Sequence, residues 1–270
     1  MTVDGSVTER PNEAVVADAP EMDQEPRRIK RKLPKSLFIQ PVLILLALAG
    51  FLIWRANATL TTVQERTLGY SSIKAETIEH LKLTFAAAVI VLAIAIPLGI
   101  ALTRKKLRRV ATPVTFVANI GQAAPAIGLF VLLAIALQVG FWTSVLALCA
   151  YAMLPVLANT IVGLRGVDQR LVEAGRGQGM SAMAVLFRVE LPLAVPVMLT
   201  GVRTALVLLV GTATLATFID GGGLGVLITT GINLFQPKLL VSGALIVGLL
   251  ALTVDWLGRL FEELFRPKGL

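Results

Sequence analysis

Charged residues are scarce in this sequence. Only 16% of its 270 residues are charged, against 56% that are hydrophobic, and no charge occurs between Val110 and Leu164. Uncharged apolar stretches of about 18 residues or more are long enough to cross a bilayer as helices. A soluble globular domain is therefore excluded. The sequence also lacks the alternating strands of roughly ten residues that build a membrane barrel, so we expect membrane-spanning helices.

Residues that carry chemistry are also few. Cys149 is the only cysteine and His80 the only histidine, so an intrachain disulfide is excluded and a metal centre, which needs several ligands, is not expected. The phosphate-binding pattern GxxxxGK[ST] is absent, which excludes an ordinary P-loop ATPase. No paired carboxylates and no Ser/His/Asp set occur in the apolar segments. We expect a protein that is not an enzyme and that binds no cofactor by itself.

Six apolar segments follow a polar beginning. Residues 1–26 have few large apolar side chains and are expected to form a disordered tail, followed by a basic cluster from Arg27 to Lys35. The predicted fold is all-α and polytopic, with a cytoplasmic tail at 1–37 and a transmembrane domain at 38–270. The predicted spans are Phe38–Trp54, Leu83–Leu102, Phe116–Leu137, Trp142–Leu164, Pro196–Phe218 and Leu239–Leu257.

The first apolar segment has a second interpretation, as a signal peptide. The letters ANA at Ala56–Ala58 resemble a cleavage site. The polar stretch before the segment is long for a signal peptide, so a retained helix is favoured.

The net charge of +8 is explained by topology and anionic lipid rather than by nucleic acid, because the cations lie beside apolar runs. Lysine and arginine are enriched in cytoplasmic loops of membrane proteins. With both termini in the cytoplasm, most of the 25 lysines and arginines fall on the cytoplasmic side. The cations left outside are Arg55, Arg66, Lys74, Lys82 and Lys238. This bias predicts a multi-pass protein with both termini cytoplasmic.

A polar loop between the fourth and fifth spans, residues 165–192, has the signals of two short helices. Asp168 is placed to cap a helix over Gln169–Gln178, and Gly179 is placed to end it. Ser181 is placed to cap a second helix, which Pro192 is expected to end because proline lacks an N–H. Met183, Leu186 and Phe187 form an apolar stripe on that second helix. By spacing alone the loop could also be an amphipathic connector resting on lipid.

This loop resembles the EAA loop of permease subunits in bacterial ABC importers. The likeness is carried by Glu173–Ala174, by Gly179 six residues after Glu173, and by VELP at Val189–Pro192. Gly175 replaces the third alanine of the family pattern. The resemblance implies a five-helix type I importer core whose loop docks onto a separate ATPase, and that partner would bind the ATP and Mg. The implied docking residues are Glu173, Ala174, Gly175, Gly179, Leu186, Phe187, Leu191 and Pro192.

Longer stretches resemble the compatible-solute branch, which imports glycine betaine, choline and carnitine. They are Leu154–Met180, Gly201–Ile228 and, more loosely, Asn119–Leu133, and the likeness extends over Thr77–Leu257. It implies a bacterial cytoplasmic-membrane location, a second permease subunit (identical or homologous) and an extracytoplasmic solute-binding protein. Only 6% of the chain is aromatic, so an aromatic cage for the cargo is expected on the binding protein.

Other functions remain open at this point. Methionine and phosphonate permeases share the EAA loop and a similar GGLG. An ATP-independent secondary transporter predicts intramembrane acids or inverted repeats, and Asp255 is the only acid within the six predicted spans. A membrane scaffold or sensor, in which the tail carries the function, is a further alternative.

Two sets of small or polar residues are candidates for lining a translocation path. The set on the fifth span comprises Thr200, Thr204, Gly211, Thr214 and Phe218. Asn119 and Gln122 form the second set, on the third span. Helix packing and interhelical hydrogen bonds are the alternatives for both sets.

Several further residues interrupt the apolar pattern. Pro97, Pro125 and Pro155 are expected to kink the second, third and fourth spans. Arg203 is expected to snorkel to the cytoplasmic surface, with a fixed electrostatic role as the alternative.

An outer loop follows the fifth span. It comprises Asp220, Gly221, Gly222 and Gly223, and its glycines are expected to leave the backbone free to bend. A helical re-entry is expected at Val226–Ile232. The loop is interpreted as a gate or a contact for the binding protein.

Overall fold

A computed structural model describes residues 36–265 of the chain. The tail predicted at 1–37 lies almost wholly outside the described residues, so the boundary at residue 37 stays a prediction. Within 36–265 the structure contains helices and no strand, which confirms the all-α class. The α-helices are α1 Ser36–Asn57, α2 Thr62–Thr67, α3 Tyr70–Thr103, α4 Ala111–Ala123, α5 Ala126–Leu137, α6 Phe141–Arg165, α7 Gln169–Gly177, α8 Ala182–Val185, α9 Leu191–Thr212, α10 Gly225–Asn233 and α11 Pro237–Phe265.

Five stretches are long and apolar enough to cross a membrane. They are Leu37–Asn57, Tyr70–Thr103, Phe141–Arg165, Ala182–Ile219 and Pro237–Leu264. The broken pair α4 and α5 brings the count to six when it is taken as one span. The described residues therefore contain the six apolar segments that the sequence predicts.

The helix ends fall into two groups, here called the basic end and the glycine end. At the basic end the start of α1 meets the end of α11, where the Trp256 indole Nε1 donates to the Leu37 carbonyl at 2.9 Å. The loop after α3 meets the loop before α9 there through an ion pair between Arg104 and Glu190. The glycine end holds the opposite connections, and there the Lys238 ammonium donates to the Thr59 carbonyl at 2.7 Å. This alternation matches the predicted topology, in which both ends of the domain lie on one side.

The core consists mainly of α3, α6 and α9, which bury leucine, valine and alanine side chains against one another. Without a water-driven hydrophobic force inside a bilayer, such helices associate through close packing. Gly201 shows how close the packing is, because a Cβ built on it would lie 2.5 Å from Asn159 Cβ and 2.6 Å from the Pro155 carbonyl oxygen. A side chain at residue 201 is therefore incompatible with this approach of α9 to α6.

The third predicted span, Phe116–Leu137, is not one continuous helix. It is broken at Ala124–Pro125, and α4 and α5 meet there at 99°. Proline has no N–H to donate and forces the preceding residue into an extended conformation, so Ala124 takes φ −62° and ψ 145°. The Tyr151 hydroxyl of α6 donates to the exposed carbonyl of Ala124. Pro97 and Pro155, by contrast, lie inside helices that continue past them.

Three other boundaries were wrong. The sixth span was predicted to end at Leu257, but α11 continues to Phe265. Helix α3 begins at Tyr70 instead of Leu83, because its first turns carry charged residues and the helix extends beyond the apolar run. The fifth span does not begin at Pro196, since α8, a π turn at Leu186–Glu190 and α9 form one unbroken path. A helix is present where re-entry was predicted at Val226–Ile232, namely α10, and its re-entry into the membrane stays a prediction.

Candidate coupling surface and translocation path

The loop at 165–192 folds by the caps that the sequence predicts. The Asp168 carboxylate accepts from the Arg170 N–H at 2.9 Å, and the Ser181 hydroxyl accepts from the Ala184 N–H at 3.2 Å. Gly179 has φ +81°, a backbone conformation that residues other than glycine and asparagine rarely adopt. The Met180 N–H then closes onto the Gly175 carbonyl at 3.1 Å. These local bonds fix α7 and α8 as two helices that meet at a sharp turn.

Gly175, where the sequence departs from the EAA pattern, faces the interior of the loop. A Cβ built there would lie 3.5 Å from Met180 Sδ and 3.5 Å from Val185 Cγ2, which are ordinary van der Waals contacts. An alanine would fit this position without rearrangement. The departure therefore changes the local helix stability by about 1 kcal/mol and leaves the shape of the loop unchanged.

The outer surface of the loop combines charge with exposed apolar side chains. Glu173 and Ala174 on α7 are exposed, and Met183 and Phe187, one turn apart, are 63% and 61% exposed. Large exposed apolar side chains beside a membrane domain indicate a contact surface for lipid or protein. We call this set, with Gly179, the coupling surface.

Leu186 does not belong to the coupling surface. It is 8% exposed and packs with Val172 and Val185 beneath the loop. The predicted Leu186–Phe187 docking pair is therefore corrected to a pairing of Phe187 with Met183, because a helix presents residues four apart, not adjacent ones, on one face. Leu191 is half-buried and Pro192 is exposed.

Pro192 does not end the second loop helix, contrary to the sequence-based expectation. The π turn at Leu186–Glu190 precedes it, and the wider turn makes room for a ring that would clash with a regular helical turn. The loop helix consequently continues into α9 without a joint.

Glu190 anchors this continuous helix to the end of α3, a role that the sequence analysis missed. Its side chain is 9% exposed, and its two carboxylate oxygens accept hydrogen bonds from Arg104 Nη1 at 3.3 Å and Nη2 at 2.5 Å. A forked guanidinium–carboxylate pair of this kind fixes orientation as well as charge. The only available sequence signal was an acid within the apolar VELP segment.

The predicted path residues lie on α9 and on the 3₁₀ turns Ala213–Ile219 that follow it, and several of them face away from the described residues. Thr204 and Gly211 are exposed, Phe218 is 50% exposed, and Thr200 and Thr214 are half-buried. A Cβ built on Gly211 would meet no atom within 4 Å. Thr200 and Thr214 also pack within the described residues, Thr200 through a hydrogen bond to Glu262 and Thr214 against Gly225. Helix packing thus accounts for these two residues, and the exposed positions Thr204, Gly211 and Phe218 keep the path as a prediction.

Asn119 and Gln122 lie on α4, just before the break at Ala124–Pro125. Asn119 is exposed and Gln122 is half-buried, and neither amide side chain forms a hydrogen bond within residues 36–265. Polar side chains at membrane depth that are unpaired within their own subunit are expected to face water or another subunit. Their place in a path stays a prediction.

The outer glycine loop is tightly packed, which contradicts the expectation of a backbone free to bend. Gly222 and Gly223 have φ of +77° and +89°. A Cβ on Gly222 would lie 2.4 Å from Glu79 Oε2, and one on Gly223 would lie 3.0 Å from His80 Nδ1. Glycine is required here because the loop lies directly on α3. Gly221 is equally confined, and Asp220 is exposed in a left-handed conformation.

His80, which the sequence analysis set aside, lies beneath this loop. It is fully buried, and its Nε2 contacts the Val210 carbonyl of α9 at 2.9 Å. Its Nδ1 and one oxygen of Glu76 are buried without a hydrogen-bond partner within the described residues. From its position on α3, the imidazole therefore contacts both α9 and the glycine loop.

Arg203 is held by two acids of α11. Its Nη1 binds Glu262 at 3.0 Å and its Nε lies 3.5 Å from Asp255, contacts that favour the alternative of a fixed electrostatic role over free snorkelling. Glu262 also accepts from the hydroxyl of the path residue Thr200, at 3.1 Å. Asp255 is held in addition by Arg259 at 3.0 Å. This network connects the seam on α9 with α11 at the basic end.

The sequence of the chain matches a known family over most of the membrane domain. The family, described as "Binding-protein-dependent transport system inner membrane component", matches residues 95–267. Curated relatives include the glycine betaine/carnitine/choline transport system permease protein of Bacillus subtilis (strain 168), which is 41% identical over 71% of this chain and 88% of its own length. The carnitine transport permease protein of Listeria monocytogenes is 38% identical over 79% of this chain and 96% of the relative.

Solved structures share the fold at lower identity. An inward-facing structure of the MetNI methionine ABC transporter covers 72% of this chain and 95% of its own, with TM-score 0.63 and 20% identity. An amino acid ABC transporter crystallised with histidines covers 76% and 99%, with TM-score 0.61 and 18% identity. At these identities the similarity concerns the fold alone.

Proposed function

Because this chain belongs to the family of binding-protein-dependent transport system inner membrane components, we propose that it is the permease subunit of an ATP-driven importer of quaternary ammonium osmoprotectants. The cargo class comprises glycine betaine, choline and carnitine. The observation that carries the cargo assignment is the 41% identity with a permease named for these three solutes. The methionine transporter shares the fold at only 20% identity, which supports the osmoprotectant branch over that alternative.

The coupling surface is where a separate ATPase would act on this subunit. The exposed side chains of Glu173, Met183 and Phe187 offer one charge and two apolar contacts on a rigid turn. Glu190 connects the same helix to α3 through Arg104. Displacement of the loop by nucleotide-driven motion of the ATPase would therefore reach both α9 and α3. ATP and Mg would be held by that partner.

The exposed seam on α9 supports a path formed between two permease subunits. Thr204, Gly211 and Phe218 lie on an outward face, which presents one hydroxyl, one bare glycine and one aromatic ring. The Thr204 hydroxyl is already satisfied by the Thr200 carbonyl at 2.9 Å. This face would therefore not trap a cation-headed solute through a hydroxyl acceptor, and any stronger polar contact in the path would come from Asn119 and Gln122 of α4. Recognition of the head group would then rest with the external binding protein.

The membrane orientation follows from the charge distribution. The basic end carries the Arg104–Arg109 cluster and the loop at 165–192, so we place it in the cytoplasm. The glycine end then faces outward, where a solute-binding protein would deliver cargo. In this orientation both ends of the domain are cytoplasmic, in a bacterial cytoplasmic membrane.

The cargo is tested by uptake in cells that lack every other osmoprotectant importer. Cells carrying the chain with its ATPase and binding protein should accumulate radiolabelled glycine betaine, choline or carnitine at high salt, and an ATPase-inactive version provides the background. Accumulation of methionine or a phosphonate, with none of these three, would contradict the cargo assignment. Uptake that persists with the inactive ATPase would indicate a secondary transporter.

The path is tested by Gly211→Val. A Cβ built on Gly211 meets no atom of the described residues within 4 Å, so we expect a valine there to leave the folded subunit unaffected while it narrows the path. We expect unchanged thermal stability of the purified protein and strongly reduced uptake. Normal uptake in this variant would place the path elsewhere.

A further inference from the structure

A cleft at the basic end is lined largely by cationic side chains. Its volume is about 570 Å³, and it lies between the loop after α3, the end of α6 and one flank of α7. The charged residues that line it are Arg104, Lys105, Arg108, Arg165, Arg176 and Glu190. Five cations and one acid give this concave site a net positive charge, which favours the binding of an anion.

The single acid leaves most of this charge unbalanced. Glu190 is fully engaged by the two terminal nitrogens of Arg104. Lys105, Arg108, Arg165 and Arg176 make no ion pair within the part of the chain that the structure describes. Four cations therefore face the cleft or its rim without an ion pair to any acid of residues 36–265.

The position of the cleft along the membrane helices indicates which kind of anion it binds. Helix α3 ends at Thr103 and α6 ends at Arg165, so the cleft begins where two long apolar helices end. This is the level at which the hydrocarbon core of a bilayer gives way to headgroups. Guanidinium groups bind phosphate through two parallel hydrogen bonds, and basic pockets between membrane helices suit anionic headgroups.

We propose that this cleft binds the phosphate headgroup of an anionic phospholipid from the leaflet at the basic end. Gln169, Val172 and Arg176 of α7 line the cleft on one flank, while Ala174 lies exposed on the other side of the same helix. A headgroup in the cleft would thus hold α7 against α3 and leave the opposite side of α7, which carries Ala174, free. The headgroup site itself does not depend on the cargo, and only its effect on the ATPase rests on the proposed function.

The test is photolabelling of the intact chain in phosphatidylcholine vesicles that contain phosphatidylglycerol with a photoreactive group near its phosphate. Labelled peptides are identified by mass spectrometry, with and without the ATPase. Lys105→Gln/Arg108→Gln removes two lining cations. Lys106→Gln/Arg109→Gln is the matched control, because it removes the same charge from the same exposed loop outside the lining. Arg165→Gln/Arg176→Gln removes the cations on the opposite wall.

We expect label on the peptides that contain residues 103–108 and 165–176. Each lining pair should lower this labelling by about tenfold, against little change in the control pair. Unlabelled phosphatidylglycerol should compete, whereas phosphatidylcholine and inorganic phosphate should not. The labelling requires neither cargo nor ATP, so it can succeed or fail independently of the transport assay.

Three results would overturn the proposal. Equal loss in the lining and control pairs would mean diffuse attraction to the membrane without a site. Competition by inorganic phosphate as strong as that by the lipid would assign the cleft to a free anion. Complete protection of the cleft peptides by bound ATPase would assign the cations to that protein interface.

Discussion

Gly179 offers the sharpest test of the coupling surface, because its backbone is in a left-handed conformation while the space around its Cα is open. The effect of backbone strain can therefore be measured apart from the effect of added bulk. Its φ of +81° costs an ordinary L residue about 1–2 kcal/mol, which lowers the population of the native turn by roughly 5- to 30-fold relative to alternatives. A Cβ built on it meets no atom of the described residues within 4 Å, so a small side chain fits at this position. A substitution therefore acts through turn strain, through bulk presented to a partner, or through both.

Three substitutions distinguish these effects. Gly179→Asn adds bulk with little strain, because asparagine tolerates the left-handed conformation. Gly179→Ala adds strain with little bulk, and Gly179→Leu adds both. All three should insert into the membrane normally, because residue 179 is exposed and lies outside the apolar spans, and the buried valines of the loop are unchanged.

We expect ATPase co-purification in mild detergent to decline in the order glycine, asparagine, alanine, leucine, and osmoprotectant uptake to follow the same order. A loss in the asparagine variant as large as in the leucine variant would show that bulk at the interface dominates over turn strain. Normal co-purification and uptake in Gly179→Leu would refute the coupling role of this loop.

Three further predictions follow from close contacts at other positions. Gly222→Val should impair uptake strongly, because it combines positive φ with a Cβ placed against the Glu79 carboxylate, while Asp220→Asn should impair it mildly, since that exposed charge is screened. Arg203→Leu should lower the free energy of unfolding by about 2 kcal/mol, and adding Glu262→Gln should recover part of it. Gly201→Val should lower that free energy by about 3 kcal/mol or more, measured by thermal unfolding in detergent.

Each of these predictions has a control. ATPase co-purification should survive Gly222→Val, because the glycine loop and the coupling surface lie at opposite ends. Additive losses for Arg203→Leu and Glu262→Gln would show that the pair is not coupled. Gly248→Val is the control for Gly201→Val, since its Cβ would meet nothing within 4 Å; equal losses in both would contradict the close helix contact.

Local features of the loop could be predicted because their causes are local. Asp168 and Ser181 bond to N–H groups two and three residues ahead, so sequence spacing alone placed them. The effect of Pro192 could not be predicted in the same way. A proline ends a regular helix, but one π turn before it removes the clash, and no residue pattern distinguishes the two outcomes.

Features that depend on partners distant in sequence were missed or misjudged. Arg203 was expected at the surface because its two acids lie on α11, and their approach depends on how α9 and α11 pack. The glycine loop was expected to be free because the sequence does not show that it packs against Glu79 and His80. These two residues are helical only because α3 begins at Tyr70, before the predicted start of the span. The 99° bend lies at Pro125, where a kink was expected from the sequence. Its size could not be predicted, because the Ala124 carbonyl that the break leaves free is bonded by Tyr151 of the distant helix α6.

The unbroken path from Ala182 to Ile219 has a mechanical consequence. Its 38 residues correspond to a contour of about 55 Å at roughly 1.5 Å per residue, so one rod runs from the coupling surface to the glycine end. A tilt of about 5° imposed at Phe187 would shift the far tip near Thr214 by several ångströms, on the order of the radius of a small solute. Rotation of a stiff lever, without refolding of any joint, would then be enough to open one mouth of the path while closing the other.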